Sequence, residues 1–169
     1  MFDKLIDLFV EFVDQFRFWQ VIRDYEEGVI LTFGRYHRTL GPGIHWLAPF
    51  SIQECLVENV VVRANAVSAL DMTIKDGSSL RADAIVRWKI KDVRKFMLEC
   101  EGKEDFIADT IYSTISRMLR ERTWEQINEE GMDVLVTKEC RKRGWRYGIE
   151  IESVEFGDLI QVIPLLTLA

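Results

Sequence analysis

A chain of 169 residues with 48% hydrophobic residues, 30% charged residues and a net charge of −6 is long enough for one domain, or two small subdomains, whose core needs neither disulfides nor metals. The composition excludes intrinsic disorder, and the acidic balance argues against a general nucleic-acid binder, which needs a cationic surface to neutralise phosphates. Cys55, Cys100 and Cys140 are widely spaced and form no CxxC or Cys/His cluster, so they read as buried thiols of a reducing compartment and not as zinc ligands.

At the N-terminus, Phe2, Leu5, Ile6, Phe9, Phe12, Val13, Phe16 and Trp19 recur at three- and four-residue steps, with Asp3, Lys4, Asp7, Glu11, Asp14 and Gln15 between them. This spacing predicts an amphipathic helix over 2–22, within an N-terminal segment 1–24. Each fully buried side chain of this kind contributes roughly 1.5–3 kcal/mol, so the face needs cover. The chain's own core, a neighbouring subunit and a membrane interface are three ways to supply it. The acidic polar face opposes the last, because interfacial helices usually carry Lys and Arg there. No apolar stretch reaches the roughly 20 residues of a membrane-spanning helix. Acidic residues also interrupt the N-terminal segment as they do not in a secretory signal, so the polypeptide is expected to stay where it is made.

Residues 25–50, YEEGVILTFGRYHRTLGPGIHWLAPF, pass from an acidic turn into a short apolar strand at 29–33. A loop punctuated by Gly34, Gly41-Pro42-Gly43 and Pro49 follows. The glycines read as turn residues, with Pro42 fixing φ between two permissive neighbours; neither GxxxxGK[ST] nor GxGxxG is present. The apolar loop residues Ile44, Trp46, Leu47, Pro49 and Phe50 either tuck under the first strand or form an exposed patch for lipid or a partner.

The middle of the chain is β-rich. Residues 55–62 suggest a strand, and 66–74 alternate weakly through Leu70, Met72 and Ile74. Residues 80–91 alternate strongly. Leu80, Ala82, Ala84, Val86, Trp88 and Ile90 share one face, and Arg81, Asp83, Arg87 and Lys89 the other, with Ile85 the exception. Asp76-Gly77 predicts a tight hairpin turn between the last two strands, which should pair antiparallel.

Helices follow. Phe106, Ile107, Ile111, Ile115, Met118 and Leu119 form one stripe, predicting a helix over 104–121. Asp92 is placed to cap a short helix reaching Glu99. Thr123 is placed to begin a brief turn with Trp124 and Ile127 facing inward. Residues 133–147 predict a further helix ended by Gly148. Ile149, Ile151, Val154 and Phe156 mark a last strand, and 161–169 form a short apolar tail. Trp88, Trp124 and Trp145 read as core anchors.

Reactive constellations are not evident. His37 and His45 lack the convergent carboxylate or cysteine neighbours that a metal or general-base role needs, and no GxSxG elbow occurs. No catalytic, cofactor-binding or metal-ligating residue is assigned. Lys138, Arg141, Lys142, Arg143 and Arg146 cluster on the last helix, with Arg117, Arg120 and Arg122 as further candidates for the same patch. A solvated face with cations near the negative end of the helix dipole is the plain reading. The functional reading is an electrostatic contact, with anionic headgroups or with the acidic face of a neighbouring subunit. The second is favoured, because an acidic N-terminal segment and a basic C-terminal helix suit a head-to-tail array.

The stretch at 25–50 resembles the opening of the stomatin/prohibitin/flotillin domain, also called SPFH or Band 7. Further matches follow in order. Met72–Gly77 resembles the family's T-x-D-G hairpin, and residues 84–95, AIVRWKIKDVRK, its next strand and helix entry. Residues 107–119 resemble the helix that ends the first subdomain, and 145–158, WRYGIEIESVEFGD, the W-G-I segment. The resemblance covers about 25–160. It implies an α+β fold, with an antiparallel β-rich first subdomain and a helical second part, here preceded by the amphipathic helix. It also implies a non-enzymatic, membrane-associated scaffold that forms a homo-oligomer, cytoplasmic and peripheral at the inner face of the membrane, with the Trp46 loop facing the membrane and a membrane protease or channel as client. Members usually add a C-terminal coiled coil, whereas this sequence ends at Ala169. The alternative expectation is a soluble structural subunit of a ring or larger assembly, for instance viral, with the N-terminal helix packed on a neighbour.

Overall fold

A computed structural model describes residues 19–48, 52–100, 103–129 and 131–162. The chain divides between Val61 and Val62 into two compact units.

The first unit is all β among its described residues: β1 (Trp19–Ile22), β2 (Glu26–Thr32), β3 (Arg35–Leu40), β4 (Gly43–Trp46) and β5 (Gln53–Asn59). β3, β2 and β5 form an antiparallel sheet in that order, and β1 pairs antiparallel with β4. Ile22, Ile30 and Leu40 are buried together, with Leu47, Cys55 and Val57 packed against them. Gly28 lets β1 approach β2: a Cβ there would lie 2.7 Å from Ile22 Cδ1.

Two expectations are corrected here. The helix predicted over 2–22 does not include Trp19–Ile22, which form a strand. Trp, Val and Ile favour extended backbone, and β4 supplies the ladder that completes their hydrogen bonding. Residues 2–18 lie outside the described residues. The stretch between Gly34 and Pro49 is also not one irregular loop, because β3 and β4 both form within it.

The second unit is α+β. β6 (Arg63–Thr73), β7 (Ser79–Ile90) and β8 (Ile149–Val162) form an antiparallel sheet in that order. α1 (Val93–Glu99), α2 (Lys103–Arg120), α3 (Trp124–Ile127) and α4 (Met132–Gly144) intervene, and a 3₁₀ turn (Trp145–Tyr147) continues α4. β7 alternates between exposed and buried side chains along its length, with Leu80, Ala82, Ala84, Val86, Trp88 and Ile90 inside. α2 packs on β6 and α4 on β8, burying Ile107, Ile111, Ile115, Leu119, Val136 and Cys140. Trp88 is fully buried, and its indole donates to Asn65 Oδ1 at 3.0 Å.

The predicted caps are present. Asp92 accepts from the Lys95 amide at 3.1 Å, and Thr123 opens α3 through a capping box with Gln126. Gly148 adopts φ 75°, and a Cβ there would lie 2.4 Å from the Asp92 carbonyl oxygen. Its own carbonyl accepts from the amides of Lys91 and Asp92, joining the end of the α4 segment to the start of α1.

The expected tight turn closes β6 onto β7: the Ile74 amide donates to the Ser78 carbonyl at 3.0 Å, and the Gly77 amide donates to the Ile74 carbonyl at 3.0 Å. Within it Gly77 takes φ 83°, and the Asp76 carboxylate accepts from Ser78 and from the Trp124 amide. Against expectation, Trp145 is no core anchor: the buried line of α4 runs through Val136, Cys140 and Gly144, and Trp145 falls on the opposite side of the helix, more than half exposed. Trp124 is half-buried.

Candidate functional site: two interaction surfaces

The β1–β4 ladder places Trp19 opposite Trp46 and Val21 opposite Ile44. Directly opposed residues in an antiparallel pair share a face, so these four side chains form one apolar face, each more than half exposed. Ile22, one residue after Val21, points the other way into the core. The ribbon is therefore two-sided, with one side sealed and the other open.

The chain leaving Trp46 is tied to a second apolar tip. The Ala48 amide donates to Gln53 Oε1 at 2.9 Å, and the Gln53 amide donates to Thr32 Oγ1 at 3.3 Å. The next residue, Phe33, donates its amide to the Ile52 carbonyl at 2.9 Å. Phe33 and Gly34 form the β2–β3 turn with φ of 50° and 72°. Both values are positive, as in the tight hairpin turns usually built from Asn-Gly or Gly-Gly. A phenylalanine in this conformation is strained, and it is 78% exposed. Phe33 and Trp46 thus belong to one rim of the first unit.

The sequence had marked Trp19, Trp46 and Leu47. Leu47 instead packs on the core. Phe33 was read as the end of a strand, and the signal that identifies it is the Gly that follows an aromatic residue at the end of an apolar run. Phe2, Leu5, Ile6, Phe9, Phe12, Val13, Phe16 and Phe50 lie outside the described residues. His45 Nε2 is 2.8 Å from the Gly41 carbonyl oxygen, which holds the turn before β4, and His37 is exposed.

The second surface is the outward side of α4. Its cations divide into two groups. Arg141 braces the fold: Nε donates to the Ile151 carbonyl at 2.9 Å and a terminal nitrogen to the Glu152 carbonyl at 3.0 Å. Thr137 assists by accepting the Val154 amide at 2.9 Å. Together they occupy groups along β8 that would otherwise be open to a further strand. Arg143 donates to Thr114 Oγ1 at 3.1 Å and lies 3.9 Å from Glu139, which also accepts from Arg117. Lys138, Lys142 and Arg146 are exposed, and among the described residues they form no ion pair. Lys142, Arg143 and Arg146 also line an open groove of about 460 Å³ with Thr110 and Ser113 of α2.

The thiols are not set up for chemistry. Burial pushes Cys140 up to about 12 and raises Cys55 and Cys100 above the usual thiol range, so all three stay protonated near neutral pH and are poor nucleophiles. Among the described residues no group of three or more His, Cys, Asp or Glu is arranged to hold a metal ion, and no helix is long and apolar enough to cross a membrane.

Comparison with known proteins places these surfaces in a family context. Residues 20–161 match the family described as SPFH domain / Band 7 family. An uncharacterized protein of Methanocaldococcus jannaschii is 25% identical over 141 residues, which is 82% of this chain and 70% of the relative. Protein HflK of Buchnera aphidicola is 28% identical over 90% of this chain and 38% of its own length. The modulator of FtsH protease HflK of Escherichia coli K12 is 26% identical over 80% of this chain and 33% of its own. The chain thus spans about a third of the length of the HflK proteins it matches.

Proposed function

The chain belongs to the SPFH domain / Band 7 family, and from that premise we propose that it is a non-catalytic scaffold that rests on a membrane surface and assembles with copies of itself. The observation that carries the membrane part is the outward face made by Trp19, Val21, Ile44 and Trp46, with Phe33 on the same rim. A contiguous apolar patch left in water marks an interaction surface, and tryptophan is the side chain most at home between headgroups and acyl chains. Phe50 follows Trp46 closely in sequence, and the Phe-rich stretch 2–16 leads directly into Trp19, so both are proposed to extend the same contact. Insertion would be driven by aromatic burial, since the acidic residues of 2–18 gain nothing from anionic lipid.

The assembly part is supported by the basic cluster Lys138, Arg141, Lys142, Arg143 and Arg146, proposed as an electrostatic contact between subunits. A membrane-protease client is proposed by analogy, because one relative is named as a modulator of the FtsH protease. Co-flotation with liposomes tests the membrane reading. The full chain should rise with neutral phosphatidylcholine vesicles, and a variant lacking residues 2–18 should rise less completely. Protein that stays wholly at the bottom in both forms overturns it. A second reading, a soluble assembly in which residues 2–18 contact a neighbour, is favoured by their acidic residues, and it predicts a closed oligomer without lipid.

A further inference from the structure

We infer that the acidic residues of 2–18 in one copy dock on Lys138, Lys142 and Arg146 of another, making a head-to-tail contact between chains. The inference rests on the self-assembly part of the proposed function and gives it specific partners.

Three observations carry it. The fold sorts the five cations of the α4 segment into two used internally and three that are not. Arg141 and Arg143 are bound to the Ile151 carbonyl and to Thr114, whereas Lys138, Lys142 and Arg146 are exposed at four-residue steps. This row is also flanked by Val134, Leu135 and Trp145, each more than half exposed. A purely solvated helix face has no reason to keep three large apolar side chains outward, whereas a docking face combines an apolar contact with charges that set register. Finally, the sequence outside the described residues carries the matching pattern, Asp3, Asp7 and Glu11 at the same four-residue step, with Asp14 beyond. Three cations thus stand against three carboxylates that recur in the sequence at the same interval, a complementary pattern of opposite charge.

The geometry also separates this contact from the acidic groups nearby. Glu139 is already engaged by Arg117 and Arg143, and Glu152 by Lys89. The free row has no carboxylate partner among the described residues.

Charge reversal on the full chain tests the inference, read by size exclusion with light scattering. One variant carries Lys138→Glu, Lys142→Glu and Arg146→Glu, and the other Asp3→Lys, Asp7→Lys and Glu11→Lys. Each alone should assemble more weakly, with a dissociation constant raised on the order of tenfold or more. An equal mixture of the two should regain the wild-type mass, because each then offers the other an opposite row. Wild-type assembly should also weaken in about 1 M salt, where the Debye length falls to ~3 Å. Lys138, Lys142 and Arg146 are exposed, and unchanged circular dichroism and melting will verify that both variants are folded. Variants that assemble like wild type, or a mixture that stays dissociated, overturn this contact and leave the scaffold reading standing. A wild-type chain that is monomeric at every concentration removes the scaffold reading itself.

Discussion

Trp19 and Trp46 meet edge to face across the β1–β4 ladder, their ring centroids 6.3 Å apart. Each is a partner the other needs to stay ordered, yet both remain largely in water. Edge-to-face pairing adds about 0.5–1.5 kcal/mol beyond area burial, enough to hold the rings in place as a preformed apolar face. That face joins the fold of the first unit to its proposed role.

Phe33 extends the same rim at a conformational cost. Its φ of 50° sits beside Gly34 at 72°, the backbone that Asn-Gly adopts readily. Phe33→Asn should therefore raise thermal stability, by about 1 kcal/mol, while weakening association with vesicles. A variant that loses stability would show that the ring packs inside the unit instead of projecting from it.

Arg141 and Lys142 are adjacent cations with different tasks. Arg141→Ala strips the Ile151 and Glu152 carbonyls of their donors and should cost about 1–2 kcal/mol in chemical denaturation. Lys142→Ala should stay within about 0.5 kcal/mol. Equal effects would contradict the division of the α4 cations.

Gly148→Ala tests the junction between α1 and the α4 segment. The position combines φ 75° with a Cβ placed 2.4 Å from the Asp92 carbonyl oxygen. Backbone has to move to admit the methyl, so a loss of roughly 2–4 kcal/mol is expected. Gly34→Ala, with open space at its Cβ, should be milder in a parallel melt.

Cys140 supplies a pH signature. Burial raises its thiol from 9.0 to about 12, so above pH 9 the unfolded chain releases a proton that the folded chain keeps. The contribution is fully present below pH 9 and is lost as pH rises toward 12. Cys140→Ala should be less stable near neutrality, through lost packing, but should decline less steeply on the alkaline side, by up to ~1.4 kcal/mol per pH unit. Parallel slopes for the two proteins would contradict the assignment.

The second unit was largely legible because its signals are local. Alternation from Leu80 to Ile90 reports a strand that is covered on one face only, and Asp92 and Gly148 are caps whose chemistry acts within a few residues. The first unit was less so. Trp19–Ile22 and Gly43–Trp46 are each too short to show a period, and they become strands only by pairing with one another across the intervening chain. Arg35–Leu40 is mostly polar and exposed, so alternation was absent there. Trp145 reads as a core anchor by its residue type alone, but it lies on the side of the helix opposite the buried line through Val136, Cys140 and Gly144. At the candidate surface, Trp19 and Trp46 stood out by their chemistry, whereas Phe33 was hidden because its exposure depends on turn geometry, and the separation of Arg141 from Lys142 depends on where β8 passes.

The most direct measurement is flotation of the full chain and of a Trp19→Ser/Trp46→Ser variant with liposomes, run side by side after confirming that both are folded. The scaffold account predicts that the wild-type chain rises with the vesicles and that the variant remains largely at the bottom. Equal flotation of the two would take the membrane contact away from this face, and no flotation of either would contradict the account at its centre.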